Sequence, residues 1–297
     1  MKNVKRSITM LSLFAMANLF AQTAPEVQFE TNNDSISLEE RSHEYLLGHR
    51  VHLRETPSLT AKKITVLDIG TRLTLSEKST NFETLNGIKS HWYKARIGKY
   101  EGWVWGGMIA QKTFGSQANY DVKFVYGLES ATVNKAGATE IKHQLRAFKN
   151  GRQIDKIVFD GYVPNPLEIK NIGNKGLFNV EDILRLNIPN AENGNPIGAT
   201  FIFWNNGKFT NVASLIDYSD AKYAKTEKFV FPSDMEGIKS TIVLETMITD
   251  YHKAATDDLT TENTKMVVSF YTWDGYQLSQ KESLPPISTD LVSNMKE

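Results

Sequence analysis

The chain has 297 residues, equal numbers of basic and acidic side chains, and no cysteine. The missing thiols exclude disulfide staples, a lipid carried on a cysteine and a thiolate nucleophile. The length suits about two domains, each able to bury a core without crosslinks.

At the N-terminus, Lys2, Lys5 and Arg6 precede an apolar run from Ile8 to Phe20, and Ala21-Gln22 follows as a small-residue cleavage point. This is the pattern of a secretory signal peptide. The run is too short for a permanent membrane span, and no later run is long enough. Residues 1–21 are therefore expected to be removed, leaving a soluble, exported protein, periplasmic or extracellular and not membrane-spanning. Residues 22–44 set Glu26, Glu30, Asp34, Glu39, Glu40 and Glu44 against the single base Arg41 and read as a flexible acidic leader.

Residues 45–110 read as short strands. Val51 and Leu53 alternate with His52 and Arg54 before Pro57-Ser58 forces a loop. Ile64, Val66 and Leu67 lead to a turn at Gly70, after which Leu73 and Leu75 alternate with Arg72 and Thr74. A polar loop is expected from Glu77 to Ser90, with a hairpin signal at Asn86-Gly87. Trp92 to Ile97 is a strand, Gly98 turns it, and Gly102-Trp103-Val104-Trp105 belongs to the next. Bases, including Arg50, Arg54, Lys62 and Lys63, outnumber acids here, which favours an anionic partner.

These positions resemble the bacterial SH3-like domain. Arg54 and Pro57 match its L-N-V-R-S-G-P-S signature, and Gly70 with Leu73 matches its central hairpin. Trp92-Tyr93-Lys94-Ala95 with Gly102-Trp103-Val104 matches its W-y-k-V…G-W-V close. Thr56 departs from the small residue usual there, and the loop from Glu77 to Ser90 is longer than the minimal form. The resemblance implies a small β-barrel, of the kind envelope proteins use to bind cell-wall glycan or peptide.

Trp103 and Trp105 project from one face of their strand and Val104 from the other. With Val104 inside the barrel, the two indoles would form an outward platform for a sugar ring or an extended peptide, with Arg54, Tyr93 and Tyr100 as neighbours. The competing reading makes the tryptophans core or edge-sealing residues.

A polar linker is expected over residues 111–119. Residues 120–281 repeat one phrase: an apolar strand that ends in an Asn/Asp-Gly turn, at Phe148-Lys149-Asn150-Gly151, Trp204-Asn205-Asn206-Gly207 and Trp273-Asp274-Gly275. Three such hairpins predict antiparallel β-structure, either a sandwich or a partial propeller-like array. Val180 to Ile188 and Thr241 to Ile248 read as further strands. Ile141 to Phe148 fits helical spacing as well, and its match to the other hairpins makes it a strand. Residues 282–297, with Pro285-Pro286, read as a loose polar tail.

The turn from Asn171 to Asn179 has the outline of a calcium loop, but its carboxylate positions are neutral or, at Lys175, positive; Asp234-Met235-Glu236-Gly237 is a weaker echo. The histidines are scattered, and neither a zinc-binding helix nor a serine elbow occurs. The sequence therefore predicts an all-β chain, a small SH3-like barrel followed by a larger antiparallel β-domain, with no catalytic residue, metal or cofactor. Its expected job is to bind cell-wall glycan or peptide and not nucleic acid. The alternative is an adaptor whose C-terminal region recognises an envelope protein through exposed aromatics such as Trp204 and Trp273; a hydrolase of unfamiliar design is the weakest reading.

Overall fold

A computed structural model describes residues 29–30, 43–161, 168–189, 196–253, 260–281 and 287–293. The proposed signal peptide, most of the acidic leader and Pro285-Pro286 lie outside these residues. The fold is all-β. Among the described residues its helical content is a one-turn 3-10 helix at Gly106–Met108.

The first sheet holds β1 (Phe29–Glu30), β2 (Glu44–Tyr45), β3 (Val51–Arg54), β4 (Lys63–Leu67), β5 (Arg72–Leu85), β6 (Ile88–Ile97) and β7 (Tyr100–Trp105). It curls into a half-barrel of order β2-β5-β6-β7-β3-β4, with β1 running parallel beside β6. Alternation decides what it encloses: Val51, Leu53, Leu73, Leu75, Tyr93, Ala95 and Val104 fill the concave side. The stretch from Glu77 to Ser90 is not an open loop. β5 continues to Leu85, turns at Asn86-Gly87 with both residues at positive φ, and pairs Phe82 with His91 and Glu83 with Ser90.

Three antiparallel sheets follow. The second runs β11-β10-β9-β8, from β8 (Lys112–Gly115), β9 (Lys123–Val133), β10 (Thr139–Lys149) and β11 (Arg152–Gly161). The third runs β12-β13-β14-β15, from β12 (Ile169–Asn171), β13 (Asp182–Pro189), β14 (Pro196–Asn205) and β15 (Lys208–Ile216). The fourth comprises β16 (Tyr218–Ser219), β17 (Tyr223–Val230), β18 (Ile242–Lys253), β19 (Thr260–Trp273), β20 (Leu278–Gln280) and β21 (Ile287–Ser293). Each contains one of the repeated hairpins. Asn150-Gly151 and Asn206-Gly207 take the paired positive φ that tight hairpins need, and Gly275 alone does so in the third.

Parts of three expected loose segments form strands. Lys112–Gly115, in the expected linker, pairs with β9, and Ile287–Ser293, in the expected tail, pairs with β19. Glu44, assigned to the leader, pairs with Leu73. Polarity misleads in all three because an edge strand needs backbone partners more than apolar side chains.

The sheets stack face to face. The convex side of the half-barrel packs Ile88, Trp92 and Trp105 against Leu128, Ala131 and Ile141 of the second sheet, while Leu47 and Ile69 meet Val125 and Phe148. The other side of the second sheet places Phe124, Tyr126, Leu145 and Phe159 against Leu184, Leu186, Ile202 and Trp204 of the third. The third then offers Ile183, Phe201 and Phe203 to Phe229, Phe231 and Ile242 next to and within the fourth. A buried indole removes enough apolar surface for about 4–6 kcal/mol of gross stabilisation, so the two-tryptophan layer is a principal joint of the molecule.

Between the second and third sheets the buried Asp182 carboxylate forms a polar clasp. It accepts from Ser116 Oγ at 2.5 Å, the Gln117 amide at 2.8 Å and Asn171 Nδ2 at 2.8 Å. Three donors meet the rule that a buried charge must be satisfied, and they tie residues 116–117 to β13.

The hairpin tip of the half-barrel is equally tied down. The Ala131 amide donates to the Asn86 carbonyl at 2.9 Å, and a methyl group on Gly87 would lie 1.6 Å from the Ala131 carbonyl oxygen. Gly87→Ala is expected to cost at least about 3 kcal/mol. Gly98→Ala, whose methyl group meets nothing within 4 Å, is expected to cost about 1 kcal/mol through its φ of +56° alone. Urea denaturation of the two variants checks the order.

Candidate functional site

The five residues singled out in the sequence separate by face. Arg54, Trp103 and Trp105 lie on the convex face: Trp103 is the register partner of both Arg54 and Lys94, and Trp105 is the partner of Trp92. Tyr93 pairs with Val104 and is 2% exposed in the barrel core, so it does not face a ligand. Tyr100 sits at the end of β7, 39% exposed, with Lys99 Nζ 5.3 Å above its ring.

The expected open indole platform is absent. Val104 does point inward, but Trp105 is only 5% exposed and Trp103 is half-buried, because the second sheet covers the convex face. Trp105 Nε1 donates to the Glu83 and Ser90 carbonyls, each at 3.1 Å. Two-residue spacing put the indoles on one face correctly; it carried no information about what packs over that face.

Where the cover ends, a cleft of about 170 Å³ opens. Trp92, Trp105, Leu85, Val51 and Met108 form its apolar wall; His49, Arg50, His52, Arg54 and Leu59 complete it. Arg54 Nη1 donates to the Ala61 carbonyl at 2.7 Å, which pins the guanidinium against the 55–62 loop. His49 Nδ1 lies 3.5 Å from Asp68. Lys63 is the register partner of Arg54 on β4. Arg50 holds φ at +57°, a conformation long side chains seldom adopt and one that recurs at ligand sites.

Two further features give the cleft its chemistry. Trp92 is 1% exposed, and its Nε1 has no hydrogen-bond partner. An unanswered buried donor costs about 1–3 kcal/mol, so Trp92 carries an unused capacity to donate. His52 is held below the usual imidazole range by desolvation first, then by Lys63, Arg54 and Arg50. The three bases around it add a positive local potential to that desolvation. Trp92 and His52 were not singled out as site residues in the sequence, although they alternate with Tyr93 on β6 and Leu53 on β3; Arg50 entered only as one of the bases, since it precedes β3.

Comparison of the chain with family models, characterised proteins and solved structures gives no match. The reading of the site thus rests on its geometry.

Other expected features resolve as follows. Trp204 is 1% exposed between the second and third sheets and offers no surface. Trp273 is half-buried, edge-on to Phe203 at 4.9 Å, and donates to the Asn179 carbonyl at 2.9 Å. The calcium-like turn and its echo answer each other, since Lys175 Nζ lies 2.7 Å from Asp234 Oδ1. That pair holds Asp234 below the ordinary carboxylate range, together with the Phe231 amide and against the larger opposing effect of burial. Among the described residues no cluster of three metal-ligating side chains occurs, and no helix is long and apolar enough to cross a membrane.

The two indole nitrogens differ in a way that stability measurements can read. Trp105→Phe removes a donor shared by the part-buried Glu83 and buried Ser90 carbonyls, whereas Trp92→Phe removes a donor with no partner. Trp105→Phe is expected to be the more destabilising by about 1–2 kcal/mol in urea denaturation.

Proposed function

We propose that this chain is an exported, non-catalytic envelope protein whose half-barrel acts as an SH3-like module, binding an anionic group on cell-wall glycan or peptide in the cleft at Trp92. The supporting observation is the partnerless Trp92 Nε1 in the wall of a cleft that also carries Arg50, His52 and Arg54. A carboxylate or phosphate seated in the cleft meets these cations, and a small shift of the indole edge would bring its covered Nε1 to one of the anion's oxygens. Leu59, Met108 and the indole edges offer apolar contact to the body of the ligand. Retention of the full chain on purified wall sacculi tests this reading. Arg54→Ala and Trp92→Phe are each expected to reduce retention about tenfold or more, and retention unchanged in both would overturn it.

The same reading sets a pH dependence. An anion beside His52 favours the imidazolium, so binding raises a pKa that the free protein holds low and takes up a proton. Affinity is then expected to rise as pH falls from about 7 towards about 5. NMR titration of the His52 ring with and without wall fragments should show the midpoint move upward on binding. A midpoint that stays in place would place the anion elsewhere.

A second reading, recognition of an envelope protein by the C-terminal sheets, draws on one recess. A cavity of about 490 Å³ separates the turns at Asn206 and Gly275, and Tyr276 stands 85% exposed beside it.

A further inference from the structure

A larger cavity, about 540 Å³, lies between the third and fourth sheets, far in sequence from the half-barrel. Its volume is that of a small-ligand site. Phe201, Phe229 and Phe231 line it as a mutually packed trio, with ring centroids 5.1–5.9 Å apart.

The charged lining is more informative than the aromatic floor. Lys175 and Asp234 pair at 2.7 Å, Glu227 pairs with Lys225 at 3.0 Å, and Lys228 lies 3.7 Å from Glu245. Two lining charges are left over. The Arg185 guanidinium makes no hydrogen bond or ion pair with any described residue; the charge it influences, Glu168, is already held by Lys170 and Asn187. Asp217 accepts the Glu227 amide at 3.0 Å and has no cation partner among the described residues. A cavity with one unmatched cation and one unmatched anion fits a ligand that carries both charges.

The register gives their separation. Arg185 stands opposite Phe201, and the Asp217 amide donates to the Ile197 carbonyl, so the two positions are four residues apart along β14 and on opposite sides of it. Four rises of a strand give about 13 Å along it and two strand spacings about 10 Å across it, so the two backbone positions are about 16 Å apart. An extended peptide of three or four residues spans about 10–14 Å between its ends, and the long Arg185 side chain, which lines the cavity, covers the remaining few ångströms.

We propose that this cavity binds a short apolar peptide with both ends free, its terminal carboxylate on Arg185, its terminal ammonium on Asp217 and its side chains over the phenylalanine trio. The site is separate from the half-barrel cleft and does not depend on it.

Calorimetric titration of the full chain with Ala-Phe-Ala-Ala tests the proposal. The free peptide is expected to bind with a dissociation constant of about 0.1 mM. Amidating its carboxylate, or changing Arg185→Gln, should each weaken binding about tenfold, and together no more than either alone. N-terminal acetylation and Asp217→Asn should form a second, equally non-additive pair. Trp92→Phe should leave this binding unchanged.

Absence of saturable binding up to about 5 mM overturns the proposal. So does full additivity within either pair, or an amidated peptide that binds as well as the free one. Loss of binding in Trp92→Phe with retention in Arg185→Gln would assign the peptide to the half-barrel cleft instead. Arg185 and Asp217 are half-buried, and unchanged thermal melting of their variants separates ligand loss from misfolding. The peptide-side modifications read the same contacts without altering the protein.

Discussion

A strand sends alternate side chains to opposite faces, and in the second and third sheets both faces are apolar at mid-strand. Val125 and Phe124 are neighbours in β9 and both are buried, as are Ile183 and Leu184 in β13. Such a sheet must be covered twice. Everything else in the arrangement follows: the second sheet needs the half-barrel on one side and the third sheet on the other, and the third needs the fourth.

That requirement decides which parts of the fold were legible. Hairpins were, because Asn86-Gly87, Asn150-Gly151 and Asn206-Gly207 carry a local steric signature that no tertiary context has to supply. The strand assignment of Ile141 to Phe148 was legible by analogy with the other hairpins. Lys112–Gly115 and Ile287–Ser293 were not, since an edge strand is recruited by the backbone of its neighbour. The same limit applies at the site. Spacing shows that Trp103 and Trp105 share a face, but Leu128 and Ile141, which cover Trp105, come from residues with no sequence relation to β7.

The cleft at Trp92 is best understood as the margin of that covered face. Under the second sheet, the convex side is dry and Trp105 is satisfied by Glu83 and Ser90. Beyond the margin it turns basic, with His52, Arg54 and Arg50 in place of Leu and Ile. Trp92 sits on the boundary, buried enough to lose water and too far from a carbonyl to replace it. A packing joint and the proposed recognition surface thus share one indole layer, which is why the tryptophans could be read from the sequence as either core or ligand-binding.

A pile of two-sided sheets raises the question of how it stops. At the N-terminal end the answer is curvature: the first sheet rolls up, encloses its own concave face around Leu53, Tyr93 and Val104, and presents one side to the pile. The fourth sheet ends it differently, with a small outer cluster of Val230, Val243 and Phe270 and a half-open Met247. The two termini of the stack are therefore unequal. One is a closed cap, and the other seals its outer side locally over Val230, Val243 and Phe270 while Met247 stays 45% exposed.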